Sequence, residues 1–253
     1  MRTTWNYTKL ANAYIKRPDY SVAAIDKMCA LMNLNTHSDV CDIGAGAGHL
    51  TIELGKRKYC VNAVEPNDAM RENGIQRTNK FKNISWFKGT GEQTNQNESQ
   101  FDAVTFGSSF NVCDQQLALK ESLRICKPGA WFSCLWNHRD LNDPIQKKIE
   151  SIIISNIPNY DYGLRRQNQT PILKSANLFE SIEFIEENIL HQQSIEECLV
   201  TWRSHGTLYR QTNEDDHIFN RIIGEIESYL QSLNQKMITI PYVTRIWAAK
   251  FSK

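Results

Sequence analysis

Between residues 39 and 65 the chain reads as an apolar strand (DVCDI), a glycine-rich loop, a helical segment (HLTIELGKRK) and a second strand (CVNAVE). The loop is Asp42-Ile43-Gly44-Ala45-Gly46-Ala47-Gly48. Glycines allow a sharp turn through positive φ and let a ligand lie against bare backbone. The helix start beyond them offers unpaired N–H groups. Glu65 stands at the end of the second strand, 21 residues past Gly44. From that position a carboxylate can accept bonds from ribose hydroxyls. Such a unit confines the chain to α/β architectures that bind a nucleoside.

Two kinds of nucleoside cofactor compete for the loop. The dinucleotide fingerprint wants a third glycine at position 49, where this chain has His49. The third glycine comes one residue earlier, and Asp42 stands two residues before the first. An anionic pyrophosphate would not favour that acid, whereas a ligand with an amino group and a sulfonium would. The combination favours S-adenosylmethionine and disfavours a nicotinamide-dependent oxidoreductase.

Alternation continues along the chain. Val22, Ile25, Cys29 and Met32 recur at helical spacing. Pro66-Asn67-Asp68 opens a helix through Met70, ISWFKG (84–89) and FDAVTFGSS (101–109) read as strands, and Asp114 caps a helix over 114–126. Lys127-Pro128-Gly129 stops it ahead of AWFSCLW (130–136). Strands alternating with helices predict right-handed parallel crossovers and an open sheet covered on both faces. Ligands bind such sheets at the carboxyl ends of the strands. After residue 137 come an Asp143-Pro144 helix start, a polar loop, a strand at 181–190, helices at 194–205 and 216–233, and a strand or hairpin at 236–251.

Five ordered segments carry a family resemblance. VCDIGAGAGHL, NAVEPNDAM, GTGEQT, FDAVTFGSSFN and ESLRICKPGAWF resemble, in order and spacing, the motifs of class I S-adenosylmethionine-dependent methyltransferases. The branch is the small-molecule one that includes trans-aconitate and ubiquinone-pathway-like enzymes. Upstream, Tyr14-Ile15-Lys16-Arg17-Pro18-Asp19-Tyr20 resembles a segment that folds over the cofactor's methionine end in that branch. The resemblance implies a Rossmann-like, seven-stranded, mostly parallel sheet with helices on both faces and an antiparallel edge strand. It implies one domain over 1–253, with an N-terminal cofactor-covering segment (about 1–35) and a lid insertion (about 138–180).

Carried over position by position, Asp42 and Gly44 would line the methionine end of the cofactor, with Ala45, Gly46 and Gly48 in the same loop and Tyr14 and Arg17 in the segment that folds over it. Glu65 would hold the ribose, with Pro66, Asn67 and Met70 beside the adenine. Gly91 and Glu92 would lie near the adenine edge, and Phe106, Gly107 and Ser108 would floor the site. Gly91 departs from the alanine usual in the family. The Gly107-Ser108-Ser109-Phe110 segment lacks the N/D-P-P-Y sequence of enzymes that methylate amino groups on nucleic acids.

Candidates on the acceptor side are Tyr14, Arg17, Tyr20, Trp136, Asn137, His138 and Arg139, then Arg165-Arg166, Arg203 and His205. Of these Tyr14, Tyr20 and His138 are candidate catalytic groups. The implied function is in-line transfer of a methyl group to an O, N or C nucleophile of a small metabolite. A regulatory or partner protein that binds S-adenosylmethionine without catalysis is the alternative. The formal charge of +1, without a dense Lys/Arg block, gives no footprint for nucleic acid or an anionic membrane. Seven cysteines without a C-x-x-C pair point to a reducing compartment and away from a metal site. No signal-peptide pattern and no spanning stretch are visible, so the expectation is a cytoplasmic protein.

Overall fold

A computed structural model describes residues 11–252, so the first ten residues of the expected N-terminal segment lie outside the described residues. Seven strands form one sheet: β1 (Asp39–Ile43), β2 (Cys60–Val64), β3 (Ile84–Phe87), β4 (Phe101–Gly107), β5 (Cys126–Arg139), β6 (Phe179–Ser194) and β7 (Met237–Phe251). Their order is β3-β2-β1-β4-β5-β7-β6. The first five pair in parallel, and β7 runs antiparallel to both β5 and β6. The expected antiparallel edge is therefore present as a pair of long strands.

The central strands bury side chains on both faces, as crossover helices require. One face packs Val104, Phe106 and Phe132 against Leu119 and Ile125 of α5 (Gln115–Ile125) and Leu173 of α7 (Thr170–Ser175). The other packs Val40, Ala103 and Leu135 against α2 (Val22–Leu31) and α3 (His49–Lys56). On α2 the buried stripe is Ile25, Met28 and Cys29, while Val22 is exposed, one turn short of the predicted stripe. Local signals fix several helix starts. Asn67, Asp114 and Asp143 each accept a backbone N–H of the first turn of α4 (Asp68–Thr78), α5 and α6 (Pro144–Asn156).

The β6–β7 ribbon continues past the end of β5, from the Leu190–Pro241 pair to the Ser194–Met237 pair. Beyond it stand α8 (Ile195–Arg203), α9 (Gly206–Gln211) and α10 (Asp216–Ser232). With α6 they bury their own apolar cluster, including Ile149, Ile153, Trp202, Ile222, Ile226 and Ile240. The short helix α1 (Ala11–Tyr14) leads into the segment before α2. Among the described residues no helix is long and apolar enough to cross a membrane.

Candidate active site

A cleft of about 760 Å³ opens at the carboxyl ends of β1, β2, β4 and β5. The chain reverses its sheet order between β1 and β4, the place where such sheets hold ligands. Gly44, Gly46 and Gly48 all have positive φ (66°, 57° and 82°). A Cβ on Gly44 would fall 2.4 Å from the Ser109 Cβ, so the loop can lie against the end of β4 only with glycine there. Gly46 presents bare backbone to the cleft, with the Met70 methyl beside it. Gly48 plays another part. It caps α3 against the Trp86 ring and does not line the cleft.

Two carboxylates mark this end. Asp42 is fully buried, accepting from Thr51 Oγ1 (2.6 Å) and Thr105 Oγ1 (3.1 Å). Burial pushes its carboxyl up to about 6, against the pull of those hydroxyls. Glu65 accepts from Gly46 N (2.9 Å) and Asn67 N (2.8 Å), which aims it across the loop. Burial raises its carboxyl too, opposed by the two backbone donors. Each oxygen keeps a second lone pair for a ligand hydroxyl. Pro66, Asn67, Met70, Gly91 and Glu92 line the same end. Phe106 is fully buried, lying behind Gly91 in a ring cluster with Phe110 and Phe132, while Gly107 and Ser108 reach the cleft.

The segment 14–21 is tied across the opening. The Arg17 guanidinium lies 3.9 Å from the Tyr14 ring centroid and donates to the Ser204 carbonyl (3.1 Å). His49, in place of the dinucleotide glycine, donates to the Ile15 carbonyl (3.3 Å) from beneath. Asn137 donates to the Pro18 and Asp19 carbonyls (3.2 and 2.9 Å) and accepts from Thr244 Oγ1 (2.6 Å). Ser21 N donates to the same Thr244 hydroxyl (2.9 Å). The Tyr20 hydroxyl meets Ser108 Oγ at 2.9 Å. Ser108 itself sits at φ 59°, a left-handed conformation uncommon outside glycine and often found at functional loops.

The far wall comprises Asn137, Arg139, Arg165, Thr201, His205 and Thr207. His205 is buried, and its Nδ1 accepts from Leu208 N (3.2 Å), leaving the other ring nitrogen as the N–H of a neutral imidazole. Burial, then Arg139, Arg165 and Arg17, hold its basicity far below the usual value. Trp136 lines the cleft but is almost wholly buried, donating to Asn111 Oδ1 (2.9 Å) and packing edge-on against Trp247.

Besides Gly48 and Phe106, three acceptor-side candidates fall outside the cleft. His138 is 2 % exposed, with neither ring nitrogen hydrogen-bonded, and burial followed by Arg165, Arg166 and Arg245 lowers it to about 2. It lies where β5 pairs Val243 of β7, so it is not placed as a base. Arg203 pairs with Glu227 on the surface (3.1 Å). Arg166 covers the Tyr162 ring and donates to the Arg139 carbonyl (2.8 Å). Tyr20 reaches the cleft, but burial raises its hydroxyl well above the usual tyrosine value.

Residues 41–134 match the family model described as a methyltransferase domain. Over that stretch the chain is methyltransferase-like. It is 26 % identical to an uncharacterized methyltransferase of Schizosaccharomyces pombe over 151 residues, 58 % of this chain and 57 % of that protein. It is 33 % identical to the demethylmenaquinone methyltransferase of Staphylococcus epidermidis over 108 residues, 41 % of this chain and 45 % of that one. The chain spans about half the length of the curated relatives it matches. In fold it resembles the solved Haemonchus contortus phosphoethanolamine N-methyltransferase 2 (TM-score 0.56, 13 % identity), covering 97 % of this chain and 58 % of that one. The resemblance read from the five motifs is borne out, as is the seven-stranded sheet.

The methyltransferase-like frame explains one departure from the family pattern. A Cβ on Gly91 would sit 2.5 Å from Cys113 Sγ, so the sulfur takes up the space that alanine would occupy. Sequence reasoning missed Thr51 and Thr105, the donors to Asp42, and Ser109, whose hydroxyl holds the Ile43 carbonyl (2.6 Å). Thr51 had a legible signal, since it lies nine residues after Asp42 on the first turn of a helix that starts at the loop. Thr105 acts through the pairing of β4 with β1, and Ser109 through a contact from the loop after β4 to a residue 66 positions away, so neither left one.

Proposed function

We propose that this protein transfers a methyl group from S-adenosylmethionine to an O, N or C nucleophile of a small metabolite. The observation that carries this reading is the continuity of the cleft. The glycine loop, Asp42 and Glu65 occupy one end, and the same space runs on to Asn137, Arg139, Arg165 and His205. Its volume suits small ligands, whose sites span roughly 300–1,000 Å³. A protein that only binds the cofactor would need the first end alone.

When bound, S-adenosylmethionine supplies a methyl carbon made electrophilic by the sulfonium. The residues' work is then alignment and exclusion of water, which can be worth roughly 7–11 kcal/mol. Asp42 would face the cationic methionine end, Glu65 would hold the ribose hydroxyls, and Tyr14 and Arg17 would cover the methionine end. Among the cleft's titratable side chains, Tyr20 stays protonated, while His49, lowered by burial to about 4, and His205 stay neutral. None of these three is poised near neutrality as a general base, and Asp42, raised to about 6, lies at the glycine-loop end, away from the far wall. The acceptor would therefore arrive with its nucleophile free or lose its proton to water.

The names of the Staphylococcus and Haemonchus relatives, both acting on small molecules, support a small acceptor. Seven cysteines without a C-x-x-C pair, most of them buried, support a reducing, cytoplasmic setting. Calorimetric titration with S-adenosylhomocysteine tests the proposal, and absence of binding to the folded protein would sink it. Glu65→Ala should weaken that binding roughly tenfold or more, through loss of charge-assisted bonds to the ribose.

A further inference from the structure

Arginines gather at the far wall of the cleft without acids to match them. The Nε atoms of Arg17, Arg139 and Arg165 are buried and lack hydrogen-bond partners. Among the described residues Arg17, Arg139 and Arg165 form no ion pair, whereas Arg57, Arg71, Arg124, Arg203 and Arg245 do and lie outside the cleft. Arg139 instead lies 4.1 Å from the Trp202 ring centroid and 5.8 Å from that of Tyr242. Arg165 bears burial and the repulsion of Arg17, Arg139 and Arg166, and is lowered to about 10, which still leaves it charged at neutral pH.

The cofactor cannot relieve this. S-Adenosylmethionine carries one carboxylate but two cationic centres, so it adds positive charge overall. Its carboxylate can satisfy one guanidinium, and Arg17, stacked on Tyr14 in the segment proposed to cover the methionine end, is the one offered to it. Arg139 and Arg165 then remain half-buried, cationic and unmatched, their Nε atoms sealed from solvent, with the neutral N–H of His205 beside them. A buried charge without a counter-charge is costly unless something binds to it.

We propose that Arg139 and Arg165 form the specificity site for an acceptor bearing an oxyanion, a carboxylate or phosphate remote from the atom that is methylated. Guanidinium forks bind such groups in a bidentate manner. This rests on the methyl-transfer reading above. A neutral acceptor would leave both guanidiniums unpaired, so anionic and neutral molecules of one shape are sharply distinguished.

The test is calorimetry on the full chain saturated with S-adenosylhomocysteine. Succinate and tricarballylate form one arm, glycerol phosphate the second, and succinamide the neutral control, all at fixed ionic strength. One anionic arm should bind saturably and succinamide should not. Arg139→Gln and Arg165→Gln should each weaken that binding roughly tenfold, with S-adenosylhomocysteine affinity held within about twofold. Arg165→Gln should also raise the melting temperature of the ligand-free protein, since it removes repulsion. Arg165→Lys keeps the charge without the fork and serves if the glutamine variant does not fold. Equal binding of succinamide, or anion binding unchanged in these variants, overturns the proposal. Failure of both anionic arms, with S-adenosylhomocysteine still bound, overturns it too. Loss of S-adenosylhomocysteine binding by the unaltered protein instead overturns the methyl-transfer reading, and the anion titration is then run on the ligand-free chain with the same outcomes.

Discussion

Asp42 is held in a state that the unliganded protein does not favour. Its carboxyl is raised from 3.8 to about 6, so its contribution to stability is full below 3.8 and is lost as pH rises through 6. At neutral pH the ionised group costs on the order of 3 kcal/mol. Asp42→Asn should therefore raise the melting temperature of the ligand-free protein at pH 7 by a few degrees. The same variant should bind S-adenosylhomocysteine less tightly and flatten the rise in affinity expected of the parent between pH 5 and 7. His138 has the opposite sign. Lowered from 6.5 to about 2, it favours folding only while neutral, so stability falls as pH drops below 6.5. His138→Leu removes two unpartnered buried nitrogens, whose cost is about 1–3 kcal/mol, and should raise melting temperature most at pH 5. Full turnover in that variant would separate it from a catalytic base. The acid two residues before Gly44 was visible in the sequence, because a loop motif is local. The burial of His138 was not, because it depends on a strand more than a hundred residues away.

At the scale of elements, the segment 14–21 owes its position to other parts of the chain. Asn137 at the end of β5 holds the Pro18 and Asp19 carbonyls, and Thr244 of β7 holds both Asn137 and Ser21. Asn137→Ala removes two donors at once, at about 0.5–1.5 kcal/mol each. Amide hydrogen exchange over residues 15–21 should speed up in that variant, and S-adenosylhomocysteine should dissociate faster. Exchange unchanged at these amides would mean that the segment is held by other contacts. Helix starts were legible wherever a cap lies next to its helix, as at Asn67, Asp114 and Asp143. The family resemblance placed Tyr14, Arg17 and Tyr20 over the site, but nothing local identified Asn137 as their anchor.

Across the whole molecule, the sheet order and the helical cluster decide what the cleft can hold. The sequence places a lid in about 138–180, and α6, which falls in that stretch, packs into the helical cluster beyond the β6–β7 ribbon without lining the cleft. Most of that cluster, however, comes from α8, α9 and α10, inserted between β6 and β7. Their apolar stripes were readable as helices, but which layer they join depends on how far the β6–β7 ribbon outruns β5. A ligand seated between the sheet ends and this cluster should stabilise the chain as a unit. S-Adenosylhomocysteine at about a hundred times its Kd should add about 2.7 kcal/mol, or roughly 5–10 °C in melting temperature. A smaller shift at full occupancy would show that the unfolded chain binds it as well.

The unmatched arginines at the far wall also bear on kinetics. A concave, low-dielectric surface carrying one sign of charge reaches out to oppositely charged solutes, over a distance set by the salt around it. Capture of an anionic acceptor would then slow as ionic strength rises. Entry of the cofactor, drawn by a cleft end with acids and arginines side by side, would respond far less. The two substrates of one cleft would thus be told apart by added salt before either touches the protein.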